Sequence, residues 1–449
     1  MPAAYLLSIL GIAIVFIIIA CSVWKWHPLI VLLIAALATG LLTGIPAKKT
    51  VDTMLSGAGL VFAGIGFIIV LGSFLGEVLE RTGAAGQLAN QLVRRAPGKR
   101  MPLYTHAMGL LVGIPVFCDA GFILLSRLIQ SMAQVQGSSL PALQLSLGTG
   151  LYGTHILIPP TPGPMAAAGN LGLGNQLGWV ILWGLVLLLP ISLITTWLIR
   201  KMDGANLLAQ TNTTLTGTAT TAIQENNSAL WKAFIPLVLP LLLIAAGSIL
   251  PLFIANKSAI NFLELLGHPV IALGSSALVA LLLLARPDKK QWGNWFGQAL
   301  LQSGPIILIT TAGGAFGAVL KATPIQEVLG NFLQSASIPD WAVYPFAFIL
   351  AAILKTAQGS STAALIISSA LLFPIMGSFA LNTAQQALVV LAIGAGAMTV
   401  SHANDSYFWV IHQYGQIPVN QLYRTYTLLT AAMGFTTLLG VLLLYFLTG

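Results

Sequence analysis

Polar residues fall in short clusters along this chain, and between them lie apolar runs of membrane-spanning length: residues 5–24, 28–45, 60–79, 180–199, 229–249, 269–285 and 428–447. A run of about 20 residues matches a hydrocarbon core of roughly 30 Å at 1.5 Å per helical residue. A transmembrane β-barrel would instead show ten-residue stretches of alternating polarity, a pattern this sequence does not follow. The prediction is an all-α, polytopic membrane protein. No basic segment precedes the first run and no convincing small-residue cleavage site follows it, so it is expected to stay as a transmembrane helix.

Composition strengthens this reading. The chain is 57% apolar and only 7% charged over 449 residues, where a soluble domain carries about 25% charged residues. A soluble enzyme could not cover its surface with so few ionisable groups. The formal net charge of +8 alone would suit a nucleic-acid partner, but the basic residues cluster in loops beside the apolar runs. That is the bias expected of loops on the cytoplasmic side, so lipid is the expected environment and no nucleic-acid partner is expected. Cys21 and Cys118 sit in apolar surroundings and have neither metal nor disulfide spacing.

The chain also repeats itself. His27-Pro28-Leu-Ile-Val-Leu resembles His268-Pro269-Val-Ile-Ala-Leu, a spacing of 241 residues. The stretch from Gly72 to Thr82 resembles that from Gly313 to Thr323 at the same spacing of 241. Two matches at one offset predict two tandem membrane halves, residues 1–202 and 229–449, joined by a polar linker over 203–228. Loop 80–102 carries Arg81, Arg94, Arg95, Lys99 and Arg100, whereas its counterpart 321–343 carries only Lys321. Equivalent loops are therefore expected on opposite membrane faces, as in an inverted-topology repeat. Assigning sides by parity puts 13 basic residues inside and four (Lys48, Lys49, Lys257 and Lys321) outside, with both termini periplasmic and the linker cytoplasmic. Arg127 and Lys355 remain at membrane depth.

Polar residues inside a bilayer gather where helices break. Four interruptions are predicted, two per half. The first surrounds Pro115 and Asp119, reached by an approach of only 15 residues from Leu103, which favours a re-entrant hairpin. Its counterpart is Lys355-Thr-Ala-Gln358-Gly359-Ser360-Ser361-Thr362. The third is Pro159-Pro160-Thr161-Pro162-Gly163-Pro164, whose four prolines cannot continue a helix. The fourth is Ser401-His402-Ala403-Asn404-Asp405-Ser406, a polar run between apolar segments.

These four stretches resemble the signatures of the gluconate permease family, and the resemblance covers essentially the whole chain. It implies import of gluconate or a related hydroxy acid by proton symport across a bacterial inner membrane, with protons as the coupling ion and no other cofactor. The wider ion-transporter superfamily further implies a scaffold, a moving transport domain with two hairpins, and a homodimer. The family pattern usually has Phe-Glu where this chain has Cys118-Asp119, His where it has Thr161, and Arg where it has Lys355. Replacing Arg by Lys turns a bidentate carboxylate grip into a point charge, and Arg127 stands where an uncharged residue is usual. These departures bear on which acid is carried.

Each candidate has a functional and a structural reading. Asp119 is the first candidate for proton coupling, because a carboxyl at membrane depth can take up and release a proton as its surroundings change; structurally it could pair with Arg127. Asp405 is the second, with His402 nearby, although Asp405 could equally cap the helix that begins at Ser406. Lys355 is the candidate fixed cation for a substrate carboxylate, or a snorkelling lysine. Gln358, Gly359, Ser360, Ser361, Thr362, Thr161, Gly163, Ser401 and Asn404 are candidate substrate contacts, and the polar side chains among them could instead cap their own helix breaks. His155 and His106 are more often hydrogen-bonded structure than relays, and Glu77 reads as an interfacial charge. A sodium-coupled anion carrier is the alternative within transporters. An intramembrane enzyme is the rival class, but neither metal-ligand spacing nor a nucleophile–base set is evident.

Overall fold

The computed structural model describes residues 2–84, 101–114, 116–136, 139–205, 208, 230–250, 256–284, 289–324, 328, 338–403 and 405–448. Pro115, Asn404, the basic residues Arg94, Arg95, Lys99 and Arg100, and the linker apart from 203–205 and 208 lie outside the described residues, as do the side chains of Arg127 and Gln358.

The chain begins with α1 (Ala3–Ser22), α2 (Pro28–Leu42), α3 (Ala47–Val61), a π-helical turn (Phe62–Gly66) and α4 (Phe67–Arg81). There follow α5 (Met101–Gly113), α6 (Cys118–Gln136), α7 (Leu140–Leu157), α8 (Pro162–Asn170) and α9 (Leu177–Gly204). The later part has α10 (Leu230–Ile249), α11 (Lys257–Gly267), α12 (Pro269–Leu284), α13 (Lys289–Lys321) and α14 (Val343–Gln358). It ends with α15 (Ser361–Met376), α16 (Thr383–Met398), α17 (Ser406–Gly415), α18 (Val419–Arg424) and α19 (Tyr426–Leu447).

Helix boundaries follow the 241-residue offset. Shifted by 241, α6 and α7 would span 359–377 and 381–398, against Ser361–Met376 and Thr383–Met398 for α15 and α16. The same shift places Gly64, in the π-helical turn, opposite Pro305 inside α13. Both of these long helical stretches are thus irregular at one equivalent point, where a π turn or a proline disturbs the backbone ladder. The apolar run 60–79 is therefore not one straight span. It straddles the π turn, and the two helical stretches flanking it are bent by 41°.

Among the described residues, three helical stretches are long and apolar enough to cross a membrane (Gly174–Gly204, Gln291–Lys321 and Val419–Leu447), or five if each bent pair counts as one span. At 28 residues, α9 is about 42 Å long. It buries Gly184, Leu187, Leu188 and Ile191 while exposing Leu189, Leu193 and Trp197. A helix apolar on all sides, buried on one and exposed on the other, suits a bundle surrounded by lipid.

Packing sorts the helices into two groups. One gathers α2, α3 and α4 around α13, with α12 against α4 and α10 and α11 against α12; the other contains α5–α9 and α14–α19. Within the second, α5 lies along α7, and the equivalent α14 lies along α16. Glycine permits the first crossing. A Cβ on Gly150 would stand 2.3 Å from the His106 carbonyl oxygen, and one on Gly109 would stand 2.6 Å from that of Leu147. Close backbone approach at small residues is the usual basis of helix association in lipid. His106 is satisfied at this seam, within 3.2 Å of both Thr149 Oγ1 and Ser192 Oγ, which is the structural reading. Glu77 is buried within the protein, accepting from Arg81 Nε at 2.8 Å and from Gln302 Nε2 at 3.4 Å, while Arg81 reaches outward.

Candidate functional site

All four predicted interruptions are breaks between helices, and they converge. Helix α8 packs on α15, α17 on α6, and α16 on both α8 and α15. The short helices explain how. At 13 and 16 residues, α5 and α14 are about 20 and 24 Å long, shorter than a 30 Å core. Each is followed within a few residues by a new helix.

Lys355 lies in the last turn of α14 and is fully buried. Its Nζ donates to Asp405 Oδ2 at 2.5 Å and to the Gly359 carbonyl oxygen at 2.9 Å. Gly359 has φ +82°, the left-handed conformation that ends a helix and turns its carbonyl back toward the lysine. Asp405 divides its work. Oδ1 accepts from the Tyr407 amide at 3.1 Å, capping α17, while Oδ2 takes the Lys355 ammonium and the Ser401 hydroxyl. The capping reading of Asp405 therefore holds, and its second oxygen is paired with Lys355. Lys355 does not snorkel: a full charge is buried and paired, which is how intramembrane charges persist.

An aromatic wall closes one side. The Tyr152 and Tyr407 rings stack at 5.5 Å, Tyr426 lies 6.1–6.2 Å from both, and Lys355 Nζ sits 5.9 Å from the Tyr152 ring centroid. Tyr152 Oη is 2.8 Å from Ser361 Oγ, and the Tyr407 hydroxyl donates to the Gly148 carbonyl oxygen at 3.1 Å. These tyrosines were missed in the sequence. Tyr407 directly follows the Ser401–Ser406 run, so a signal existed for it; Tyr152, in the middle of α7, offered none.

Asp119 occupies the first turn of α6, within electrostatic reach of Asp405 and Lys355. Its Oδ1 is buried and has no hydrogen-bond partner among the described residues. Nearby, Phe117, His155, Ser73 and Thr161 line a small cavity of about 10 Å³. Ser73 Oγ and His155 Nδ1 are likewise buried and unpartnered among the described residues.

The remaining candidates divide. Ser360 Oγ caps α15, accepting from the Ala363 amide at 3.2 Å, and Thr161 Oγ1 donates to the Ile158 carbonyl oxygen at 2.6 Å. His402 Nε2 is 3.2 Å from the Thr356 carbonyl oxygen, tying the fourth break to the end of α14. Gly163 is a packing position, since a Cβ there would stand 2.8 Å from Leu365 Cδ1 and 3.8 Å from Thr362 Cα. Pro159 and Pro160 lie in the turn between α7 and α8, where Thr161 is the N-cap and Pro162 and Pro164 fall in the first turn of α8. Nothing is assigned to Pro115, Asn404 or the Gln358 side chain, which lie outside the described residues.

The site thus combines a buried cation, two carboxyls and several hydroxyls at the ends of broken helices, in a chain built for lipid. A family description, GntP family permease, matches residues 5–447. The chain belongs to the GntP permease family. This GntP permease is a multi-pass membrane transporter and not an enzyme. It is 32% identical to a gluconate permease of Pseudomonas aeruginosa over 449 residues, 98% of each chain. It is 29% identical to the D-serine transporter DsdX of Escherichia coli K12 over 451 residues, 99% of each chain. In fold it resembles the YdaH transporter of Alcanivorax borkumensis, with a TM-score of 0.68 at 16% identity over 93% of this permease and 97% of that chain.

Proposed function

We propose that this permease takes up gluconate or a related hydroxy carboxylate across the bacterial inner membrane by proton symport, alternating access between two inverted repeats. The observation that carries the reading is the buried Lys355–Asp405 pair at the meeting of two helix breaks. A paired lysine is not free to hold a substrate carboxylate. Protonation of Asp405 removes its negative charge and releases the ammonium for a substrate anion, whose hydroxyls then find Ser401, Ser361 and the Tyr152 hydroxyl close by. Loss of the proton restores the internal pair and expels the anion. Proton and substrate are thereby linked through one cation, which is the differential binding that coupling requires. Asp119, whose Oδ1 has no partner among the described residues, is the second proton carrier. The common 241-residue offset of sequence and helix boundaries supports the duplication, and the loop charges support inversion, periplasmic termini and the cytoplasmic linker.

A second substrate reading has its own support. Asp119 Oδ1, buried and unpartnered among the described residues, is a natural acceptor for a substrate ammonium, and a relative at 29% identity is named a D-serine transporter. A zwitterionic hydroxy acid would bridge Lys355 and Asp119. The deciding experiment is uptake by proteoliposomes of a panel of aldonates and hydroxy amino acids under an imposed pH gradient, with and without sodium. Aldonate accumulation that follows the pH gradient without sodium supports the first reading. Accumulation that needs sodium would overturn proton coupling, and accumulation of the amino acids alone would overturn the aldonate assignment.

A further inference from the structure

A second cavity lies away from the Lys355 site, between α3 and α13 on one side and α8 and α15 on the other. Its volume is about 330 Å³, and glycines from both groups of helices line it, including Gly57, Gly64, Gly314 and Gly169. Such walls leave room without polar surface, so the few polar groups present define its chemistry. They are Asn170, Asn175 and Lys321.

Asn170 is buried at the end of α8. Its Nδ2 donates to the Ile366 carbonyl oxygen at 3.1 Å and to Ser369 Oγ at 3.0 Å. Because Ile366 offers a carbonyl that can only accept, the amide orientation is fixed. Asn170 Oδ1 is left with no partner among the described residues, although the residue is only 5% exposed. An unpaired buried acceptor is destabilising, so this oxygen is poised for a donor. A Cβ added at Gly313, on the cavity wall, would stand 3.8 Å from that oxygen. Lys321, the last residue of α13, is exposed at the same cavity, its Nζ 6.0 Å from the Phe373 ring centroid. The carbonyls at the end of α8, which would repel an anion, are already engaged: the Leu171, Gly172 and Leu173 amides bond back to Ala167, Gly169 and Ala168.

We infer that this cavity is a second site for a hydroxy carboxylate, with the carboxylate on Lys321 and a hydroxyl donating to Asn170 Oδ1. The combination of a cation with a bare acceptor calls for a ligand that carries both an anion and an O–H donor. The cavity adjoins Asn175, at the N-terminal end of α9, so it opens on the face opposite Arg200 and Lys201. On the topology proposed above, on which this role rests, that face is periplasmic, and the site captures substrate before it reaches Lys355.

Gly64 offers a clean perturbation, since a Cβ there meets nothing within 4 Å and a larger side chain would occupy the cavity. The test is equilibrium binding of radiolabelled D-gluconate to the full chain in nanodiscs of neutral phosphatidylcholine. The expected result is two sites per chain for the parent, and one for Gly64→Leu, for Lys321→Gln and for Lys355→Ala. In uptake assays, Gly64→Leu should raise KM about tenfold. The one site that survives Gly64→Leu shows that this variant is folded. A single site in the parent, or two sites in both Gly64→Leu and Lys321→Gln, would overturn the inference. Loss of the Lys321-dependent site in phosphatidylglycerol nanodiscs would assign the cavity to a lipid phosphate and overturn the substrate role. If Lys355→Ala removes no site while Gly64→Leu removes one, the central site is misassigned and the outer one stands.

Discussion

Asp405→Asn separates charge from geometry at the central site. Asparagine keeps an oxygen to accept from the Tyr407 amide at the 3.1 Å cap, but it cannot neutralise Lys355, which is fully buried. Breaking a buried pair by removing one charge costs about 3–5 kcal/mol, so the substrate-free variant should be less thermostable than the parent. Substrate should reverse the deficit. In the parent, an incoming carboxylate must displace Asp405 from a 2.5 Å contact, and a hydrogen bond to a charged group is worth about 1.5–3 kcal/mol net. Removing that competitor should tighten substrate binding about ten- to a hundredfold, at 1.4 kcal/mol per factor of ten. Binding by titration calorimetry and thermal unfolding with and without gluconate measure both effects. Proteoliposomes should still exchange internal for external substrate, while accumulation driven by a pH gradient should disappear. Unchanged or weaker affinity would refute the competition between Asp405 and substrate, and retained uphill uptake would refute the coupling role.

Other substitutions test separate parts of the site. Lys355→Ala leaves Asp405 as an uncompensated buried carboxylate, so gluconate binding at the central site should be lost along with roughly 3–5 kcal/mol of stability; a well-folded variant with unchanged affinity at that site would contradict the assignment. Asp119→Asn removes a carboxyl whose Oδ1 has no partner among the described residues, so thermal stability should change by less than about 1 kcal/mol, while uphill uptake is abolished and exchange persists. Gly150→Ala puts a methyl 2.3 Å from the His106 carbonyl oxygen. Overpacking of this kind costs about 1–3 kcal/mol, readable as a lowered unfolding temperature with lower folded yield, and a neutral result would mean that α5 and α7 can move apart.

The breaks were the most legible part of the fold because each carries a local chemical cause. The prolines from 159 to 164 cannot make a helix ladder, and the polar run Ser401–Ser406 cannot continue an apolar one. The kink at Phe62–Gly66 was hidden, since Phe-Ala-Gly-Ile-Gly is apolar throughout and a π turn leaves no polar mark. At the site, sequence reading named Lys355 and Asp405 separately and missed their pairing. They stand 50 residues apart on different breaks, and only packing of α14 along α16 brings them within 2.5 Å. Assigning Lys355 to substrate and Asp405 to the proton treated as independent two groups that share one bond. Tyr152 was illegible for a similar reason: a tyrosine in a buried helix declares its partner, here Ser361, only after folding.

Proton-coupled symport is tested most directly by radiolabelled gluconate uptake into sodium-free proteoliposomes with an acidic exterior. Accumulation above the external concentration, collapsed by a protonophore and absent in Asp405→Asn, is the predicted result. Uptake that stops at equilibration whatever the pH gradient, or that rises only when sodium is added, would contradict it.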